Sequence, residues 1–152
     1  MSCGLTIAAA LMLSEPGAAM TAPASPPPAA APASVAAEPL FAEIIARSSA
    51  LKAMVDGWAA GAVPAEPELA RFRTATEELA ALDMQGHLVL KERGTDGDLK
   101  CILRGISEDM PKKVEAVTTA VSPQERALAL SELAYLLNDN VEVITAPPQP
   151  EA

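Results

Sequence analysis

Ser122-Pro123-Gln124-Glu125-Arg126-Ala127-Leu128-Ala129-Leu130 opens the stretch whose reading decides the fold. A serine at the N-cap can accept from the amide of Glu125, and the Glu125 carboxylate can return a bond to the serine amide. Pro123 fits the first helical position, where an amide donor would be wasted. A helix is therefore predicted to begin at Ser122. Behind it, Ala127, Leu130, Ala134, Leu137, Val141 and Ile144 recur at steps of three and four as far as Thr145, and Pro147 ends the pattern. The polar run Asn138-Asp139-Asn140 reads as lying mostly off that seam.

Upstream, the same period repeats three times. Leu99, Ile102, Leu103, Ile106, Met110, Val114, Val117 and Val121 form the face of a preceding helix. Pro111 removes an amide donor and crowds the turn before it, so a kink or break is predicted between residues 108 and 111. Arg93-Gly94-Thr95-Asp96-Gly97-Asp98 is the clearest turn, with Thr95, Asp96 or Asp98 available to cap the helix that follows. Before it, Leu69, Phe72, Thr76, Leu79 and Leu82 mark a helix beginning near Pro64 or Pro67. Whether that helix runs on through Gly86 to Leu90 is left open by the glycine. The first helix carries Leu40, Phe41, Ile44, Ile45, Ser48, Leu51, Val55 and Trp58, with Pro39 suited to its first turn and Gly61 to its stop.

Four helices of roughly 20 residues with short connections predict an all-α fold, a small antiparallel four-helix bundle over residues 39–145. The alternatives are a three-helix bundle with the first helix docked loosely, or two chains pairing helical hairpins. Aromatic residues are only 3% of the chain, so the core must be aliphatic, which suits packed helices better than a sandwich.

Both ends read differently. Leu5-Thr6-Ile7-Ala8-Ala9-Ala10-Leu11-Met12-Leu13 is too short to span a bilayer but has the length of a signal-peptide core, and Gly17-Ala18-Ala19 supplies small residues for cleavage. Residues 1–19 are thus expected to be a signal peptide and the protein periplasmic or secreted. Met1-Ser2-Cys3-Gly4 lacks the usual Lys or Arg, as expected if the natural start lies upstream. Residues 20–38 hold five prolines among alanines and read as a disordered, extended tether. The Pro-rich residues 146–152 read as a disordered tail. Cleavage would leave Cys101 as the single cysteine, a small hydrophobe in an apolar stretch.

The formal charge is −9, and the 11 Lys and Arg, all between Arg47 and Arg126, alternate with acids. No basic stripe forms, which argues against nucleic acid and against an anionic membrane surface. After cleavage no stable membrane insertion is expected.

His87 is the single histidine, so no multi-histidine metal site can be completed within one chain. The leading expectation is a non-catalytic module with no cofactor, acting through a protein partner or self-association on its helix faces. The alternative is a copper site or a haem b site. His87 and Met84 stand three apart on one helical face and, with Met110 of the next helix, offer the imidazole and thioether donors such sites use. The stretch from Glu108 to Asn140, with a Met near a helix start, an aliphatic seam and a capped return helix, resembles a hairpin of the cytochrome b562-like bundles. That resemblance implies haem held by axial residues, although the last helix here has no His to supply the second one.

Overall fold

The computed structural model describes residues 35–62, 64–94 and 97–147. The expected signal peptide, most of the expected tether, and the chain from Pro148 onward lie outside the described residues. Four helices follow in order: α1 Pro39–Ala59, α2 Glu66–Arg93, α3 Gly97–Thr119 and α4 Pro123–Thr145. Each packs on two neighbours, α1 on α2 and α4, and α3 on α2 and α4. This is an antiparallel four-helix bundle with α1 diagonal to α3 and α2 diagonal to α4. α1 is no loose appendage, because Phe41, Ile44 and Val55 are fully buried in the common core.

The predicted start of α4 is realised in full. Ser122 Oγ accepts from the Glu125 amide at 3.2 Å, and Glu125 Oε2 accepts from the amides of Ser122 at 3.1 Å and Val121 at 2.9 Å. α2 passes through Gly86 without interruption and ends at Gly94, whose φ of 66° is the left-handed C-cap that glycine adopts freely. The close approach at Gly86 explains the residue. A Cβ there would lie 3.1 Å from Leu103 Cδ1 and 3.3 Å from Phe41 Cε1, so glycine lets α1 and α3 press onto α2.

Three sequence expectations are corrected. α3 is continuous through Pro111, so the break allowed for there does not occur; the proline lies on the exposed face, where solvent can take the place of the amide donor it lacks. Val121 is not part of the α3 seam; it lies beyond the helix end and is 89% exposed. Cys101 is only half-buried and is not a free thiol. Before Pro39, Val35–Ala37 forms one 3-10 turn packed against α1 and α4, at the end of the segment read as tether. Glu38 then pairs with Arg93 through two bonds of 2.8 and 2.7 Å, joining the start of α1 to the end of α2.

Packing differs along the bundle axis. At one end Trp58 and Phe72 meet edge to face at 4.6 Å, and Trp58 Nε1 donates to Glu68 at 3.2 Å. Most of the remaining core is aliphatic, with Leu79, Leu90, Leu99, Leu103, Leu133, Leu137 and Ile144 fully buried. The exception is a group of polar side chains midway along the helices.

Candidate functional site: a buried polar cluster

Asp83, Asn140 and Ser48 are fully buried and reach one another from three different helices. Asp83 stands four residues after Leu79 on α2, and Asn140 three after Leu137 on α4, so helical period turns both inward with the apolar seam. Asn140 Nδ2 donates to both Asp83 carboxylate oxygens at 3.0 Å and to Ser48 Oγ at 3.1 Å. The amide thereby ties α4 to its diagonal neighbour α2 and to α1. Its own Oδ1 is buried with no hydrogen-bond partner.

A carboxylate in this setting pays for its charge in lost hydration. Burial pushes the Asp83 pKa up to about 7, against the opposing pull of the Asn140 bond, which favours the ionised form. At neutral pH the group is therefore divided between its charged and neutral forms. Such a shift is more usual at working sites than on surfaces, although structural networks produce it as well.

One turn further along α2, His87 is also buried, and its Nδ1 contacts the Lys100 carbonyl at 2.7 Å. His87 thus faces the α2–α3 contact, and of the run read as mostly off the seam Asn138 and Asp139 are half-buried while Asn140 is fully buried. Ser107 Oγ donates to the Ala80 carbonyl at 2.8 Å. Ala80 to His87 and Ser107 to Lys100 are each about two turns, taken in opposite directions, which fixes the antiparallel register of α2 against α3.

That register locates the residues proposed from sequence as soft-metal or haem ligands. Met84 is half-buried one turn from His87. Met110 is fully buried, but it lies ten residues beyond Lys100 along α3, about 15 Å from the level of His87 at 1.5 Å per residue. The bundle does not bring His87, Met84 and Met110 together. Among the described residues no three His, Cys, Asp or Glu side chains are gathered closely enough to hold a metal ion.

Comparison with known protein families, curated proteins and solved structures found no match to this chain. Its chemistry therefore rests on its own geometry.

The surface offers two further features. An open groove of about 310 Å³ between α2 and α3 is lined by Arg73, Thr76, Glu77, Pro111, Val114 and Glu115, among others. On α4, Leu128 and Tyr135 are 62% and 72% exposed, and Val121 precedes them just before the cap. The seven-residue spacing of Leu128 and Tyr135 puts these two in one stripe along the outside of α4. Among the described residues, no helix is long and apolar enough to cross a membrane.

Proposed function

We propose that this chain is an exported, non-catalytic helical module that acts through protein contacts, with the outer stripe of α4 as its contact face. The observation that carries the reading is the exposure of Leu128 and Tyr135 on a helix whose opposite side already completes the core. Nothing in the bundle's own packing requires large apolar groups there. Tyrosine in particular combines a broad apolar ring with a polar tip, which suits a contact face that must also tolerate water. The acidic balance and interspersed bases support a protein partner over nucleic acid. The export part of the reading is supported by the apolar run from Leu5 to Leu13 with small residues after it.

The test is site-specific photocrosslinking in cells from position 131, exposed on α4 between Leu128 and Tyr135, combined with the double variant Leu128→Ser, Tyr135→Ser. A discrete adduct that disappears in the double variant, with the helical circular-dichroism spectrum unchanged, is the expected result. An adduct pattern indifferent to both changes contradicts the contact face. The competing reading, copper or haem b on His87 with Met84 and Met110, would need Met110 to close the axial offset from His87. For it, the expected outcome is no Soret band and no stoichiometric copper in the purified chain.

A further inference from the structure

The buried cluster carries an inference that is independent of the contact face. We propose that Asp83 is the proton-binding site of a pH-responsive brace, in which the Asn140 amide donates to the ionised carboxylate and turns to accept from the protonated one.

The geometry points to a proton as the species exchanged. Asn140 presents its nitrogen to both carboxylate oxygens, the arrangement that suits an anion, while its oxygen is buried without a donor. Half a turn of the amide places Oδ1 where the nitrogen now stands, 3.0 Å from the same carboxyl oxygens. Only the carboxylic acid can donate across that distance, because an ionised carboxylate is acceptor-only. The balance is simple: one proton passes from solvent to one Asp83 oxygen, and the new O–H bond donates to Asn140 Oδ1. Ser48 Oγ, which accepts from the amide in the first state, can donate to the same oxygen in the second, since a hydroxyl does either.

The surroundings leave the carboxylate without a countercharge. From α1 the group beside the cluster is Ser48, while Arg47 is held outward by Glu43 and Glu78, and Lys52 by Asp56. From α3 the core presents Leu103, Ile106 and Met110; Ser107 is spent on the Ala80 carbonyl, and Arg104 pairs with Glu108 at the surface. On α2 itself the nearest titratable group on the same face is His87, one turn on, with Nδ1 engaged by Lys100. On α4, Asp139 and Glu142 flank Asn140; burial and the Glu142 charge also raise the Asp139 pKa. Burial and the Asn140 bond alone account for the displacement of Asp83.

The consequence has a definite sign. An acid whose pKa is higher in the folded chain than in the unfolded one keeps its proton longer in the fold, so folding is favoured in acid. That contribution is complete below the ordinary carboxyl range near 3.8 and is lost as pH rises through about 7. The fold that contains this brace is therefore more stable in mildly acidic surroundings than in alkaline ones, although the amide bond itself favours the ionised form.

The experiment is an NMR titration of the full chain carrying carbon-13 at the aspartate carboxyls and nitrogen-15 at the asparagine side chains. The expected result is an Asp83 carboxyl signal moving with a midpoint near 7, and the Asn140 side-chain NH2 signals moving with the same midpoint. Asp83→Asn removes the first signal and leaves the Asn140 NH2 signals still across that range. An Asp83 midpoint near 4, or Asn140 signals that ignore the Asp83 transition, overturns the proposal. The wild-type titration alone decides the matter if Asp83→Asn does not fold.

Discussion

The aromatic end of the bundle and its polar middle are built from the same helices but held by opposite physics. Where Trp58 and Phe72 meet, α1 and α2 are joined by shape and apolar area. Where Asp83, Asn140 and Ser48 meet, the helices are joined by hydrogen bonds around a carboxylate that burial disfavours. The first region stabilises whatever the solvent conditions. The second stabilises only as far as its bonds offset desolvation, so its contribution depends on pH, and replacing such a group by a hydrophobe of similar size is often neutral or stabilising. The difference teaches that this bundle has one region for stability and one for register and response.

The largest effect is expected at the aromatic end. Phe72→Ala removes a fully packed ring and its edge contact with Trp58, and should cost about 3–5 kcal/mol by urea denaturation at any pH between 5 and 8. A cost that varied strongly with pH would erase the contrast between the two regions. Next comes Asn140→Ala, which strips the Asp83 carboxylate of its donor. About 1–3 kcal/mol is expected at pH 8, where the carboxylate is charged, and less at pH 5, where the neutral acid needs the donor less. Equal costs at the two pH values would mean that the amide serves packing alone.

Away from both regions the effects should shrink. Ser122→Ala breaks the capping box and should lower stability by about 1 kcal/mol, read as a fall in the thermal midpoint. Tyr135→Ser, on the outer stripe of α4, should change stability by no more than about 0.5 kcal/mol, since the ring is 72% exposed. A larger loss would move Tyr135 from the contact face into the fold's own packing.

The fold was legible in the sequence because its signals were local and mutually consistent. The capping box at Ser122, the prolines in the first turns of α1, α2 and α4, and the three-four spacing of Leu, Ile and Val each call for helix where helix is found. At Pro111 the helix continues because a missing bond on an exposed face is tolerated, and the apolar seam through Met110 and Val114 already sets the proline off the core face. The polar cluster was harder to read for a related reason. Asp83 and Asn140 occupy core positions by spacing, three or four residues from Leu79 and Leu137, but their polarity argues for the surface when each helix is read singly. Only the meeting of three helices supplies the partners that make their burial tolerable. His87 stands out in the sequence as the single histidine, yet its expected neighbour Met110 is separated from it by the register of α2 against α3, which no local pattern encodes.

The most direct test of the account is the unfolding free energy of the wild-type chain and of Asp83→Asn, measured by urea denaturation from pH 4 to pH 8. The account predicts that wild-type stability falls as pH rises toward 7, with a slope approaching about 1.4 kcal/mol per pH unit, and levels off above it. Asp83→Asn, which keeps His87 and every other titrating group, should lose that slope. A wild-type profile that is flat or rises with pH, or a slope that survives in Asp83→Asn, would contradict the claim that a buried, proton-binding carboxylate lies at the centre of this bundle.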